Sequence, residues 1–272
     1  MLIRAVRHVF GVGLEKWINF WRRVEGPELE PLLWHSHFLS SFVAARPLLA
    51  YGVRLQGMII DVGAGTGHGA KYLNPAISTY FPTDLKTGRD AQDANISRVA
   101  RAPVFNCSVY EIPFPTGHFG GAMILSVLEH LEHPKRGLEE ILRVLTPGGL
   151  LLCSVPFAFP VHGAPHDFRR WTRMGLELEL RAAGFEIVES SSCGGSIAAI
   201  AMNVHLAIRH HLVARNYLTQ KLVALGIPII LAFQAAVNAL AWLFDRLDRS
   251  GAFPLVVLVL ARKPLAAPRQ DN

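Results

Sequence analysis

The sequence predicts an α/β fold with a mostly parallel sheet and helices on both faces, and three observations support this fold class. Short apolar runs alternate with helical patterns between residues 58 and 190, and such alternation is typical of parallel sheets covered on both faces. Glycines cluster directly after the first apolar run, as at the start of a βαβ unit. The 272 residues are 51% hydrophobic and 18% charged, which excludes a disordered chain.

The first half of the chain contains most of the expected strands. Apolar residues recur near the helical period in residues 32–51, and Pro47 is expected at a kink or near the end of this helix. A strand at 58–62 leads into the glycine cluster, after which a second helix is expected to extend through Leu73. A later helix at 135–145 is expected to be closed by Pro147-Gly148-Gly149. Further apolar runs predict strands at 79–84, 104–107, 121–127 and 150–155.

The second half loses this regular alternation. A helical pattern after Thr172 is stopped by Gly184, and residues 185–190 alternate as a strand. Two charge-free stretches follow, 194–208 and 222–244, and a β-rich run returns only at 254–260. The residues that separate the two stretches are mostly basic: Arg209, His210, His211, Arg215 and Lys221. This pattern therefore predicts an apolar helical insertion before the last strand.

These boundaries predict a domain organisation built around one interrupted domain. We expect an N-terminal helical segment at 1–50, an α/β domain formed by 51–193 with 252–263, the insertion at 194–251, and a tail at 264–272. The insertion would then either contact a membrane or cap the domain.

Charge and cysteine content narrow the possible partners and compartments. The net charge of +6 could suit nucleic acid, anionic lipid or an anionic substrate, but no run of five basic residues occurs, so nucleic acid is not expected. Cys107, Cys153 and Cys193 lack CxxC spacing, which argues against a disulfide framework and fits a cytoplasmic compartment. Basic residues interrupt the apolar N-terminus every few positions, unlike a signal peptide, so we expect no secretion.

The glycine cluster indicates a bound cofactor. Gly63, Gly65 and Gly67 stand at alternate positions, where the absence of a Cβ lets the backbone approach a ligand, and a helix beyond them would present free N–H groups. Asp84 ends the next strand, where a carboxylate can accept hydrogen bonds from both hydroxyls of a ribose. Together these features predict an adenosine-type cofactor.

The spacing favours S-adenosylmethionine over NAD. The dinucleotide fingerprint requires G-x-G-x-x-G, and counting from Gly63 puts His68 where the third glycine belongs. Asp61, two positions before the first glycine, would crowd a pyrophosphate but suits a ligand with an ammonium group and a sulfonium. An NAD-dependent oxidoreductase and a non-catalytic cofactor-binding module stay as the alternatives.

Four segments carry a family resemblance: residues 59–67, 80–85, 111–134 and 141–157. In order and spacing they resemble the class I S-adenosylmethionine-dependent methyltransferases, particularly the type-11 group. The resemblance implies a Rossmann-like seven-stranded sheet in which 185–190 and 254–260 form an antiparallel edge pair. It also implies the residues that bind the cofactor: Asp61, Gly63, Ala64, Gly65, Gly67, Asp84, Ser108, Val109 and Ser126. Cys107-Ser108 stands where the family usually has an adenine-binding Asp, so Ser108 would substitute through its hydroxyl.

The acceptor side is expected in residues 156–172, which follow the fifth strand at the carboxyl edge of the sheet. Prolines and glycines prevent a regular helix there, and His, Asp, Arg and aromatic residues are dense. His162 and His166 are candidate bases, because imidazole has an ordinary pKa of about 6.5. His130, just past the fourth strand, is a third candidate. Asp167 either joins this chemistry or forms an ion pair with a neighbouring arginine that holds the loop.

No metal is expected at these histidines. The pairs His162 with His166 and His130 with His133 lack a third ligand at a recognisable spacing. We therefore expect methyl transfer from S-adenosylmethionine to a small-molecule, glycan or lipid-linked acceptor, at a hydroxyl or alternatively at an amine or carbon. The loop resembles a subgroup of these methyltransferases associated with cell-surface glycan and glycolipid biosynthesis.

The apolar stretch 222–244 suggests contact with a membrane. A helix of 23 uncharged residues is long enough to span a hydrocarbon layer of about 30 Å. A single crossing would, however, separate the two strands that flank the insertion. We therefore expect a hairpin at the cytoplasmic leaflet, peripheral or re-entrant, with the basic N-terminus attracted to anionic lipid. A helical cap or dimer interface is the alternative.

Overall fold

The computed structural model describes residues 33–65, 67–76, 78–85, 104–213, 217–248 and 250–265, without the side chains of 209–225 and 227. The basic N-terminal segment up to residue 32 and the tail beyond Leu265 therefore lie outside the described residues. The same holds for the side chains of the basic residues expected to separate the two apolar stretches.

The described residues form a seven-stranded sheet in the order β3-β2-β1-β4-β5-β7-β6. The strands are β1 (Gly57–Val62), β2 (Ser78–Asp84), β3 (Phe105–Asn106), β4 (Phe119–Leu125), β5 (Leu145–Pro156), β6 (Glu186–Cys193) and β7 (Val256–Arg262). Pairing is parallel from β3 to β5, and β7 is antiparallel to both β5 and β6. The predicted mostly parallel sheet with its antiparallel edge pair is confirmed. Strand order reverses between β1 and β4, and open α/β sheets bind ligands at such a point.

Five α-helices accompany the strands in the described part of the chain. They are α1 (Phe38–Gly52), α2 (Pro134–Val144), α3 (Arg173–Ala182), α4 (Ser196–Val213) and α5 (Tyr217–Phe244). Pro134 begins α2, where a missing N–H costs nothing. The hydroxyl of Thr172 caps α3 by accepting a hydrogen bond from the Gly175 N–H at 3.1 Å.

The core explains how these elements pack. α2 and α3 lie on one face of the sheet, and both bury apolar side chains, such as Ile141 and Leu180, against strand residues. On the opposite face, Tyr51 of α1 lies 2.6 Å from the hydroxyl of Ser191 in β6. Apolar positions facing both sides are wholly buried in the central strands, which accounts for their near-continuous apolar sequences.

Two local expectations were wrong. The helix expected through Leu73 is a five-residue 3-10 helix, His68–Tyr72. A Cβ at Gly69 would lie 2.4 Å from Oδ2 of Asp61, so the chain packs tightly there, and Pro75 follows closely and cannot continue a helix. The Pro-Gly-Gly segment does not close α2 either, because α2 ends at Val144 and β5 begins at the next residue.

The chain forms two compact units. The sheet unit contains Ala44–Cys193 and the described residues from Pro254, whereas the helical unit contains Gly194–Phe253 and the described residues up to Val43. The apolar helical insertion before the last strand is thus confirmed. Within the sheet unit, the Leu255 N–H donates to the Cys193 carbonyl at 2.9 Å. The insertion therefore leaves and rejoins the sheet at adjacent points.

The helical unit buries several polar side chains among its apolar ones and exposes large apolar side chains. His205 Nε2 lies 3.1 Å from Oδ1 of Asn238, whose amide donates to the Leu33 and His35 carbonyls. Large apolar side chains instead face outward: Ile200, Ile229, Phe233, Leu240, Leu243 and Phe244. One described helix, Pro228–Leu247, is long and apolar enough to cross a membrane, and only 17% of its apolar window is buried.

Candidate active site

The glycine loop between β1 and the 3-10 helix forms an open cradle. Gly63, Gly65 and Gly67 all have positive φ angles, of 72°, 54° and 80°, which glycine adopts without strain. A Cβ on Gly63 would lie 2.5 Å from Val127, so this glycine is needed for packing. A Cβ on Gly65 would meet nothing within 4 Å. Gly65 therefore faces open space, while the Gly67 N–H closes the loop by donating to the Ala64 carbonyl at 2.7 Å.

The acidic end of β2 is joined directly to this loop. Oδ2 of Asp84 accepts a hydrogen bond from the Gly65 N–H at 2.9 Å. Parallel pairing of β1 with β2 brings the two strand ends to the same edge of the sheet. The structure thus brings together the glycine loop and the acidic residue that the sequence placed 21 positions after Gly63.

Asp61 lies beneath the loop as a buried carboxylate. Its Oδ2 accepts a hydrogen bond from the Tyr80 hydroxyl at 2.5 Å, and its side chain is screened from solvent. Burial raises the pKa of Asp61 to about 7, a shift opposed by the Tyr80 hydrogen bond and supported by the charge of Asp84. Tyr80 was not identified from the sequence, because its contact with Asp61 depends on the register of two neighbouring strands.

A cavity of about 380 Å³ opens beside the glycine loop at the carboxyl edge of the sheet. Its lining residues are Val62, Gly63, Asp84, Leu85, Cys107, Ser108, Val109, Tyr110, Val127, His130, Leu131, Glu132, His133 and His166. The cavity therefore joins four predicted cofactor residues, Gly63, Asp84, Ser108 and Val109, with two candidate bases. Asp61, Ala64, Gly65, Gly67, Ser126, His162 and Asp167 do not line it.

Ser108 and Ser126 present polar groups at two strand ends. Oγ of Ser108 accepts a hydrogen bond from the Tyr110 N–H at 3.2 Å, which leaves its own hydroxyl proton available to a ligand. Ser126 follows β4 with a positive φ of 54°, a strained conformation for a residue other than glycine. Its N–H donates to the Ser154 carbonyl at 2.9 Å.

Residues 157–172 form an irregular loop held by ionic contacts. Asp167 accepts two hydrogen bonds from the Arg170 guanidinium, at 2.6 and 2.8 Å, and a third from the His162 N–H at 2.8 Å. The Arg170 guanidinium holds the pKa of Asp167 below its usual range. Arg169 donates to the Leu131 and Glu132 carbonyls at 2.6 and 3.0 Å. Asp167 thus forms an ion pair with Arg170, which is one of the two roles that we expected for it from the sequence.

The three candidate histidines have different surroundings. His166 is exposed and lines the cavity. His130 also lines it, and its Nδ1 lies 2.5 Å from the His166 carbonyl. His162 packs edge-on against His130, with ring centroids 4.8 Å apart, and is not among the residues that line the cavity. Burial lowers the pKa of His162.

Glu129 is a prominent residue that sequence reasoning missed. Its side chain is 0% exposed, and neither carboxylate oxygen has a hydrogen-bond partner among the described residues. Burial raises the pKa of Glu129 to about 7, against the opposing effect of Arg170. The available signal was an acidic residue between Leu128 and His130, shortly after the apolar strand β4.

Comparisons with known proteins agree with this fold and indicate its class. Residues 60–153 match the family model described as "Methyltransferase domain". The ubiquinone/menaquinone biosynthesis C-methyltransferase UbiE of Cupriavidus necator is 30% identical over 107 residues, covering 37% of this chain and 44% of that protein. The demethylmenaquinone methyltransferase of Clavibacter sepedonicus is 26% identical over 140 residues, covering 51% and 54%. The chain spans about half the length of the curated relatives it matches.

Solved structures show the same fold at low identity. The [4+2]-cyclase SpnF is 23% identical with a TM-score of 0.50, covering 83% of this chain and 82% of SpnF. Protein BH2331 of Bacillus halodurans C-125 is 17% identical with the same TM-score of 0.50, covering 81% and 98%. Because one of these neighbours is named as a cyclase, the fold by itself does not define the reaction.

The fold and the matched residues define the class. Residues 60–153 belong to a methyltransferase domain, and the sheet that contains them has the fold of the class I S-adenosylmethionine-dependent methyltransferases. The cofactor of a domain of this class is S-adenosylmethionine.

Proposed function

We propose that the chain transfers the methyl group of S-adenosylmethionine to a hydroxyl of a small-molecule, glycan or lipid-linked acceptor. One observation carries the proposal: a single cavity connects the glycine loop and Asp84 with His130 and His166. Its volume of about 380 Å³ lies in the range of small-molecule sites.

The residues present fit the cofactor. The open space at Gly65 is one that a Cβ would fill. Asp84, which accepts a hydrogen bond from the Gly65 N–H, offers a carboxylate at the edge of the cavity. Gly63, Gly65 and Asp84 would hold the ribose and methionyl parts, with Ser108 near the adenine. When bound, the cofactor supplies an electrophilic methyl group on a sulfonium.

The residues on the acceptor side position and deprotonate the acceptor. His166 projects an exposed imidazole into the cavity and would accept the hydroxyl proton. Asp167, Arg169 and Arg170 hold the loop that carries His166, so their role is positioning rather than chemistry. An ordered loop matters because in-line transfer depends on the alignment of the acceptor.

A membrane-borne acceptor is supported by two observations. The relatives UbiE and demethylmenaquinone methyltransferase are named for acceptors of quinone biosynthesis. The helical unit exposes large apolar side chains, including Ile229 at 75% and Leu240 at 56%. A hairpin lying on the cytoplasmic leaflet would keep the enzyme near a lipid-linked substrate. The names of the relatives favour a carbon as the alternative methylated atom.

In the direct test, the purified chain is incubated with methyl-labelled S-adenosylmethionine and either an organic or an aqueous extract of the source cells. We expect label in an organic-phase product, and mass spectrometry with carbon NMR to identify an O-methyl group. The H166A variant should lower kcat by about 10²- to 10⁴-fold while S-adenosylhomocysteine affinity stays unchanged. The absence of a labelled product from both extracts would refute the proposal. A C-methyl product would show that the methylated atom is a carbon and not a hydroxyl oxygen.

A further inference from the structure

The buried carboxylate of Glu129 faces the Nε2 atoms of two histidines. Its Oε1 lies 3.9 Å from Nε2 of His130 and 3.9 Å from Nε2 of His162. Potential ligand atoms of the three residues lie within 4.8 Å of one another. Among the described residues, no hydrogen bond satisfies either oxygen of Glu129. A wholly buried carboxylate without a hydrogen-bond partner is costly, and a bound cation would offset that cost.

The spacing of these atoms is close to that of a metal site. Tetrahedral zinc holds nitrogen and oxygen ligands at about 2.0–2.2 Å, which places them about 3.4 Å apart. The two 3.9 Å separations would therefore have to shorten by about half an ångström. The separation between the two histidine nitrogens, at most 4.8 Å, would have to shorten by up to about 1.4 Å, which requires a rotation of the side chains. Two imidazoles and one carboxylate suit zinc and similar transition metal ions better than magnesium or calcium.

The outer nitrogen of His130 supports this interpretation. Nδ1 of His130 lies 2.5 Å from the His166 carbonyl, and a carbonyl can only accept a hydrogen bond. The proton of this imidazole therefore belongs on Nδ1, and Nε2 presents a lone pair toward Glu129.

His162 has a similar arrangement. Its Nδ1 lies 3.2 Å from the Pro160 carbonyl and 3.4 Å from Oδ2 of Asp167. Nη2 of Arg170 is also 3.2 Å away, but it donates at 2.8 Å to Pro160 and at 2.8 Å to Asp167, which uses both of its hydrogens. The proton of His162 therefore also belongs on Nδ1. Histidines that bind metals typically donate the other N–H to a carbonyl or carboxylate in this way.

We propose that Glu129, His130 and His162 form a binding site for one divalent transition metal ion, with zinc the best fit. Three protein ligands leave the fourth tetrahedral position open to water. Glu129 and His130 belong to the turn after β4, whereas His162 belongs to the loop 157–172. The ion would therefore link the loop 157–172 to the turn after β4, next to the cavity lined by His130 and His166.

The test measures metal binding by the full chain without cofactor or acceptor, so its outcome is independent of methyl transfer. The chain is purified with a tag that contains no histidine, and Zn²⁺ binding is followed by equilibrium dialysis and elemental analysis. We expect one Zn²⁺ per chain and a higher Tm with Zn²⁺. E129Q and H162N should each lower the affinity by at least about 10-fold.

The matched control is H118N, which removes an exposed histidine that stacks on Phe114 outside this cluster. The control should bind Zn²⁺ like the wild-type chain. The proposal is overturned if the wild-type chain takes up no stoichiometric Zn²⁺. It is also overturned if folded E129Q and H162N, checked by circular dichroism, bind as tightly as H118N.

Discussion

Gly65 and Gly117 provide a matched pair at the residue scale. Both have positive φ angles, of 54° and 72°, and at both a Cβ would meet nothing within 4 Å. G65L and G117L therefore introduce comparable backbone strain. Only Gly65 lies in the glycine loop, where its N–H donates a hydrogen bond to Asp84.

We expect G65L to weaken S-adenosylhomocysteine binding by about 1–3 kcal/mol, because the new side chain occupies the cofactor's space. G117L should bind as the wild-type chain does. Calorimetric titration of the three proteins measures this difference. Equal affinities for G65L and G117L would show that the open space at Gly65 does not receive the cofactor.

Asp61 predicts a pH dependence of stability in the cofactor-free chain. Its folded-state pKa of about 7 exceeds the ordinary value of about 3.9, so the folded state holds a proton that the unfolded state has released. The free energy of unfolding should therefore fall as pH rises from about 4 to about 7. Urea denaturation at pH 5 and pH 8 measures this change.

The variant D61N isolates the contribution of Asp61. An asparagine keeps an oxygen that can accept from the Tyr80 hydroxyl but carries no titrating charge. The decrease in stability between pH 5 and pH 8 should be smaller in D61N than in the wild-type chain. An identical decrease in the two proteins would assign the pH dependence to other groups.

At the scale of elements, Asp245 links the two ends of the helical insertion. Its carboxylate accepts hydrogen bonds at 2.9 Å from the N–H of Gly195, which directly precedes α4, and from the N–H of Ala198 in the first turn of α4. D245A removes both acceptors, and loss of such a cap costs about 1–2 kcal/mol. The surface variant E139A, which loses only a 3.7 Å pair with Lys135, should cost less than about 0.5 kcal/mol.

Chemical denaturation compares the two variants. If D245A unfolds at the same denaturant concentration as E139A, the cap does not stabilise the insertion. The expected order is wild type and E139A close together, with D245A clearly below them.

The elements differ in how far their sequence determines them. β1, β4 and β5 are buried apolar runs, and the ends of parallel strands meet at one edge of the sheet. The sequence could therefore predict that Gly65 and Asp84 lie in one site. The 3-10 helix could not be predicted from the sequence, because it depends on the contact between Gly69 and Asp61. The contact of Glu129 with His162 joins segments more than 30 residues apart through an irregular loop. The course of such a loop cannot be predicted from the periodicity of the sequence.

At the scale of the whole molecule, the insertion predicts the orientation of the chain relative to a membrane. β6 and β7 pair in one sheet, and the insertion between them must return to the side from which it left. We predict that this side is the cytosol, so that a reporter fused after Asn272 should be cytosolic and the protein should sediment with membranes until detergent is added. A periplasmic or lumenal reporter signal would refute this orientation.

The exposed apolar face of the helical unit can be tested separately. Replacement of Ile229 and Leu243, which are 75% and 51% exposed, by aspartate should release the protein from membranes without unfolding it. The matched control places aspartate at Val161, which is 78% exposed in the sheet unit. A wild-type chain that stays soluble without detergent would assign the insertion to a helical cap or dimer interface.

The central claim is that the glycine loop, Asp84 and the adjoining cavity bind S-adenosylmethionine rather than a nicotinamide cofactor. Calorimetric titration of the purified chain with S-adenosylhomocysteine and, separately, with NADH tests it most directly. We predict saturable binding of S-adenosylhomocysteine at one site per chain, and no measurable heat of binding with NADH. Saturable NADH binding in the absence of S-adenosylhomocysteine binding would contradict the claim.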